Sequence, residues 1–189
     1  MKQELLNFIK RESYKENFQE GFRLASGKTS PYYFDLKQTL FHPVYCQYAC
    51  KLLYNLILEK DPRVQAVSGL TMGSDPLVYG IAQLSLQGSS IFPIVIRKKE
   101  KDHGTQKRAE GRLQEITSPE NIVLIDDVIT TGSSTLQAYF VLKELGFRPK
   151  YAFCVVDRLE GGRENLAKHN VELIPLFTLQ DFKSSSYMV

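Results

Sequence analysis

The sequence predicts a single-domain α/β protein, with a central, mostly parallel sheet flanked by helices. Three observations carry that reading. Beyond residue 60, short apolar runs alternate with helix-like stretches, as strands joined by helical crossovers do. The strand runs are apolar throughout rather than alternating, which fits strands covered on both faces. The chain has 189 residues, close to one domain of about 150 with a small addition.

Taken in order, residues 4–12 read as a short amphipathic helix with Leu5, Leu6, Phe8 and Ile9 on its apolar side. Residues 21–43, rich in aromatics and turn formers, read as short strands joined by turns. Residues 44–60 read as a helix with Leu52, Leu53, Leu56 and Ile57 clustered. Val64–Ser68 is then a strand, and Pro76 opens a helix running to about Gln87. Ile91–Ile96 is a β-branched strand, followed by a charged stretch over 97–115. Asn121–Ile125 is a strand, VITTGSS a loop, and Thr135–Leu145 a helix closed by Gly146. Tyr151–Val156, Gly162–His169 and Val171–Phe177 complete the series as strand, helix and strand. The final SSSYMV reads as a frayed tail. The whole chain, 1–189, is one domain, with a small N-terminal unit over roughly 1–43 and a core over roughly 44–180.

Composition excludes several classes. Hydrophobic residues make up 43% and charged residues 24%, which is globular rather than disordered. No apolar run approaches the roughly 18–20 residues of a membrane span, and the charged start shows no secretory signal. Three cysteines are not a disulfide framework, so a reducing cytoplasm is expected. A net charge of +3 does not imply nucleic acid.

Chemistry concentrates in NIVLIDDVITTGSSTLQ. A buried strand is expected to end at Asp126 and Asp127, followed at once by a loop of small and hydroxyl residues and then a helix. Ligands of open α/β sheets sit at the carboxyl ends of strands, and a helix start offers unpaired amides and a positive dipole end. Thr130, Thr131, Ser133 and Ser134 add hydroxyls, and Gly132 permits close backbone approach. That is a phosphate cradle. The two carboxylates suit a pair of sugar hydroxyls, so the pattern asks for a ligand with a vicinal diol and a phosphate. The bland alternative is a strand end followed by a plain turn. GxxxxGK[ST] and GxGxxG are both absent.

The second concentration is VIRKKEKDHGTQKRAEGR, with Arg97, Lys98, Lys99, Lys101, His103, Lys107, Arg108 and Arg112 punctuated by Gly104 and Gly111. It reads as a solvated basic face, as a nucleic-acid patch, or as a mobile loop that clamps a polyanion. The patch lacks interleaved aromatics for base stacking.

VLIDDVITTGSS closely resembles the phosphoribosyl pyrophosphate (PRPP) signature of type I phosphoribosyltransferases, and RKKEKDHG resembles the RKExKxHG loop of orotate phosphoribosyltransferases. FRLASGKTSPYYFD is similar to the FxLxSGxxSPxYxD hood over that family's base site, and SGLTMGSDP to its pyrophosphate loop. The resemblance covers roughly residues 20–180 and implies the type I phosphoribosyltransferase fold with a hood over residues 1–43. It implies transfer of the 5-phosphoribosyl group from PRPP to orotate, with Mg2+ carried mainly by PRPP near Asp126 and Asp127 rather than by direct protein ligands. It places Asp126 and Asp127 on the ribose hydroxyls. It places Val128, Ile129, Thr130, Thr131, Gly132, Ser133 and Ser134 on the 5-phosphate. Thr71, Met72, Gly73 and Ser74 would give amides to pyrophosphate, and Arg97, Lys98, Lys101 and His103 would act on the leaving group. Orotate would meet Thr130, Arg158, Tyr33 and Phe34. The basic loop would reach the neighbouring subunit of a homodimer; neither nucleic acid nor membrane is expected as a partner.

Two departures stand out. Lys99 occupies the usual Glu position of the loop, and Ala25 stands where some members carry Lys, with Lys28 or Lys37 nearby. Asp75 sits oddly beside a polyanion and would face Mg2+ or the loop backbone. For Arg158 a surface salt bridge with Asp157 or Glu160 is the competing reading, and for Tyr33 and Phe34 a core aromatic pair. Cys46 and Cys50 read as core packing rather than half a metal site, as does Cys154; His42 reads as a turn residue and His169 as a helix-end residue. Two rival functions remain at this level: a phosphoribosyltransferase for another base, and a non-catalytic PRPP- or RNA-binding regulator of the same fold.

Overall fold

The computed structural model describes residues 1–23, 29–86, 88, 90–99 and 108–183. The N-terminal part begins with α1 (Lys2–Glu12), which buries Leu5, Phe8 and Ile9. Four short strands follow: β1 (Tyr14–Glu16), β2 (Phe22–Arg23), β3 (Thr29–Ser30) and β4 (Tyr32–Phe34). β1 pairs antiparallel with β4, and β2 with β3. A one-turn helix, α2 (Lys37–Leu40), interrupts the segment expected to hold only strands and turns. Its cause is burial of Leu36 and Leu40, four residues apart; one turn is too short to show a helical period. α3 (Pro43–Lys60) follows, with His42 at its N-cap position.

The remaining elements are β5 (Ala66–Leu70), α4 (Asp75–Ser85), β6 (Phe92–Ile96), β7 (Ala109–Glu110), β8 (Ile122–Ile129), α5 (Ser133–Glu144), β9 (Tyr151–Asp157), α6 (Gly162–Ala167) and β10 (Glu172–Thr178), which alternate as expected except at β7, a strand inside the stretch expected only to be charged. They form a six-stranded sheet in the order β10-β9-β8-β5-β6-β7. Every pairing is parallel except the edge hairpin β6–β7. Two expected boundaries shift in a way that bears on function. β8 does not stop before its acids but runs on to Ile129, and α6 ends at Ala167 rather than His169.

Strand periodicity builds two cores. Val67, Val123, Ile125, Phe153 and Val155 face the side covered by α1, α3 and α4. Their neighbours Ala66, Ile122, Leu124, Ala152 and Cys154 face the side covered by α5 and α6. Successive side chains of a strand point to opposite faces, so a strand buried on both faces must be apolar at every position, as β5 and β8 are over Ala66–Val67 and Ile122–Ile125.

α4 sets the position of the loop before it, and it packs closely on α3. A Cβ added at Gly80 would lie 2.4 Å from the Cys50 sulfur. Cys50 is buried, as expected of a core residue, while Cys46 is half-buried with its sulfur 4.0 Å away. Gly80→Ala should therefore lower stability by about 1–3 kcal/mol through overpacking. Made on a Cys50→Ala background, it should instead raise stability by about 1 kcal/mol, the helix propensity of Ala over Gly. Urea unfolding of the four proteins measures both, and an equal effect on the two backgrounds would show that the helices do not press together there.

Candidate active site

The carboxyl ends of β5, β8 and β9 meet at one edge of the sheet, and the loops that leave them touch. The loop after β5 lies against the acidic pair: a Cβ on Gly73 would fall 2.8 Å from the Asp127 carboxylate. The loop after β8 lies against the start of α6: a Cβ on Gly162 would fall 2.7 Å from the Thr130 carbonyl oxygen. Asn165 Nδ2 donates to the Thr131 carbonyl at 3.0 Å, bracing the same loop. The Arg158 amide, just past β9, donates to the Ile129 carbonyl at 2.9 Å.

Asp126 and Asp127, adjacent in sequence, are in different environments because a strand turns neighbours to opposite faces. Asp126 is 5% exposed. One of its oxygens accepts the hydroxyls of Ser134 at 2.7 Å and Thr135 at 2.8 Å, and the other accepts the Asp127 amide at 3.0 Å. It ties β8 to the first turn of α5. Burial, reinforced by the Asp127 charge, pushes its carboxyl up to about 7, against the pull of the two hydroxyls. Asp127 is half-buried and faces the Gly73 loop, with one oxygen accepting the Val128 amide at 2.8 Å.

The expected phosphate segment is shorter than its motif. Val128 and Ile129 are strand residues; the Ile129 side chain is 1% exposed in the core, and the Val128 amide is held by Asp127. Ser134 spends its hydroxyl on Asp126. The free part is Thr130, Thr131, Gly132 and Ser133, with Gly132 left-handed at φ 77° directly before α5, whose first-turn amides lack intrahelical acceptors. Beside it an open cavity of about 620 Å3 is lined by Ser133, Ser134, Lys98, Leu70 and residues of α5.

At the loop after β5, the Thr71 amide donates to the Ile96 carbonyl at 2.8 Å and its hydroxyl to Asp75 at 2.7 Å. Thr71 thus has no free amide for a ligand, contrary to expectation. Asp75 accepts a side-chain hydroxyl of this loop rather than its backbone; its other oxygen is buried without a partner among the described residues. Ser74 is fully buried, its hydroxyl on the Leu70 carbonyl. Met72 and Gly73 remain for ligand contact, and the buried Ser74 amide does not, contrary to expectation.

The basic loop leaves the same edge between β6 and β7. Arg97 and Arg108 zip its base, with the Arg97 amide on the Arg108 carbonyl at 2.8 Å. The Arg97 guanidinium pairs with Glu110 at 3.1 Å, so it anchors the hairpin here rather than projecting into the site. Lys98 is exposed. Lys101, His103, Gly104 and Lys107 lie outside the described residues, as do Ala25, Lys28 and the SSSYMV tail.

Arg158 is not on the surface. It is 3% exposed, and its Nη2 donates to the Ser30 hydroxyl at 2.8 Å and the Tyr32 carbonyl at 2.9 Å. It pairs with Glu160 at 2.6 Å, while its Nε is buried with no acceptor among the described residues. It is thus the bolt between β9 and the N-terminal strands. Of the two expected aromatics, Phe34 is 8% exposed and packs on Tyr14 and Phe182, which makes it core. Tyr33 is 37% exposed, its ring 5.4 Å from that of Phe22. The expected alternative, a salt bridge of Arg158 with Glu160, is present but buried on the Arg158 side; Ser30, Thr135, Gly162 and Asn165 were not anticipated, and the Gly161–Gly162 pair was the one visible signal, since adjacent glycines mark close backbone approach.

The Asp126 environment has a measurable consequence. Its carboxyl titrates near 3.8 in the unfolded chain and near 7 when folded. Between those values the folded protein holds a proton that the unfolded chain gives up, so the Asp126 contribution to stability falls as pH rises and is level above about 7. The melting temperature of the native chain, taken relative to that of Asp126→Asn, should drop from pH 4 to pH 7. A difference that climbs across that range would mean that the carboxyl is stabilised in its ionised form.

No protein-family model matches the chain. The orotate phosphoribosyltransferase of Aquifex aeolicus is 42% identical over 181 residues, covering 95% of this chain and 96% of the relative. That of Leptospira biflexa is 38% identical over 180 residues, covering 94% and 95%. The crystal structure of the Mycobacterium tuberculosis orotate phosphoribosyltransferase superposes with a TM-score of 0.76 at 26% identity, covering 97% of this chain and 99% of that one. With relatives this similar over nearly their whole length, and with the loops of three parallel strands meeting where the motifs placed them, the chain belongs to the orotate phosphoribosyltransferase family.

Proposed function

We propose how this chain's residues divide the work of its family's reaction, in which the 5-phosphoribosyl group passes from PRPP to orotate, giving orotidine 5′-phosphate and pyrophosphate. The chain is a transferase of pyrimidine nucleotide synthesis. The convergence of the β5, β8 and β9 loops carries the assignment, because a two-ended sugar phosphate needs one loop for each phosphate and a third for the base.

Thr130, Thr131, Gly132 and Ser133 take the 5-phosphate through amides and hydroxyls at the start of α5. Asp127 takes the ribose hydroxyls, while Asp126 holds the start of α5 against β8. The Met72 and Gly73 amides hold pyrophosphate from the other side. As the ring nitrogen of orotate closes on the anomeric carbon, the bond from that carbon to pyrophosphate breaks. Positive charge grows on the ribose and negative charge on the leaving group. Asp127 would answer the first charge, and Lys98, Lys101 and His103 the second. No covalent protein intermediate is needed.

The donor set fits Mg2+ in one respect: Asp127 and Asp75 bring carboxylate oxygens to the same loop, and one Asp75 oxygen is buried without a partner among the described residues. Yet no group of three His, Cys, Asp or Glu among the described residues could hold an ion. Mg2+ would therefore be held mainly by the oxygens of PRPP, as is usual for this ion, and would neutralise the departing pyrophosphate. Arg158 grips the orotate carboxylate; its orphaned Nε is the unused donor that such an anion completes. The basic loop acts in the partner site of a homodimer. Three cysteines, all free, suit the reducing cytoplasm.

Two experiments test this. Arg158→Ala should raise the KM for orotate more than that for PRPP in steady-state assays; equal changes would remove its role as base reader. Lys101→Ala should cut turnover by at least about tenfold, as should Asp127→Asn. Mixing the two inactive proteins under conditions of subunit exchange should restore about a quarter of native activity if the loop works across a dimer with two equivalent sites. No recovery despite exchange would confine the loop to its own subunit.

A further inference from the structure

Arg158 is a buried cation whose neighbours are mostly neutral. The hood supplies the Ser30 hydroxyl and the Tyr32 carbonyl, and the Phe34 ring lies 6.0 Å away. Asp157 is turned the other way, onto Arg163 at 3.3 Å. Among the described residues Glu160 is the carboxylate paired with Arg158, at 2.6 Å. The two partners differ in freedom: the Arg158 side chain is 4% exposed and the Glu160 side chain 28%.

The turn between them holds this arrangement. Leu159 is left-handed at φ 58°, and Gly161 follows at φ 90°. The Leu159 amide donates to Asp157 at 2.9 Å. A left-handed leucine persists only where its surroundings force it. Here the result is a hairpin of chain that returns the residue 160 carboxylate to residue 158.

We infer that Glu160 is an internal competitor for the carboxylate of the incoming base, closing on Arg158 while the site is empty and yielding it when orotate binds. The inference rests on the reading of Arg158 as the orotate-carboxylate group. A buried guanidinium without a counter-ion is strongly unfavourable, so the empty site needs Glu160. A base with its own carboxylate can replace that charge, and the half-solvated Glu160 can leave. A neutral pyrimidine cannot replace it, so Glu160 stays and the base gains nothing from Arg158. Glu160 thereby sets specificity for an anionic base, at the cost of weaker orotate binding.

Glu160→Gln removes the competing charge. The KM for orotate should fall at least about threefold, since apparent affinity is reduced by the fraction of sites in the closed state. The KM for PRPP should move less than twofold, and competitive inhibition by uracil, which lacks the carboxylate, should not change. A KM for orotate that stays level or rises overturns the inference. Should Glu160→Gln fold poorly, Glu160→Asp, drawn back by one methylene, should lower the orotate dissociation constant in calorimetry in the same direction. Arg158→Ala separates the two readings. If it leaves the orotate KM unchanged, the base reading itself fails; if it raises that KM while Glu160→Gln does not lower it, only the competitor role fails.

Discussion

The candidate site depends on close approach at two glycines, to the backbone of the next loop at Gly162 and to a carboxylate at Gly73. Where the β8 loop meets α6, a methyl group at Gly162 would collide with Ile129 and with the Thr130 carbonyl. Where the β5 loop meets the acidic pair, a methyl at Gly73 would collide with Asp127. Parallel strands bring their carboxyl ends to one edge, but only close approach at these two contacts makes the loops share a space as small as one sugar phosphate. The parallel register of β5 with β8 and of β8 with β9 fixes where the approach happens.

Two buried charges face opposite problems at that edge. Among the described residues Asp126 is held by hydroxyl and amide donors rather than by a cation, and burial drives it toward its neutral form. Arg158 is a buried guanidinium, which needs a counter-charge, and Glu160 supplies it. The first group joins a strand to a helix inside the core domain, and the second joins the core domain to the hood. In both, an ionisable side chain works as a structural bolt beside the place where a ligand would sit. That position couples the shape of the site to the charge of whatever enters it.

The motifs lie on loops that the fold brings together, but several of their side chains are engaged by other residues. Thr71 and Ser134 carry hydroxyls that look available in a sequence, yet one is held by Asp75 and the other by Asp126. Phe34 looked like a ring for a base and is a core residue packed on Phe182. Arg97 looked like a clamp and pairs with Glu110 at the base of a hairpin. Hydroxyl, ring and guanidinium have the same chemistry in each role. What differs is the neighbour, and in three of these four cases the neighbour lies 8 or more positions away in the chain.

The sequence by itself determined the α/β class and the order of strands and helices beyond residue 60 apart from β7. Those features follow from local rules: apolar runs for strands covered on both faces, and proline and glycine at helix ends. The tertiary structure decided the rest. It continued β8 through its acids, made α2 from the burial of Leu36 and Leu40, and buried Arg158 against Ser30, 128 residues earlier. Such contacts depend on which distant surfaces pack together, and no spacing along the chain encodes that.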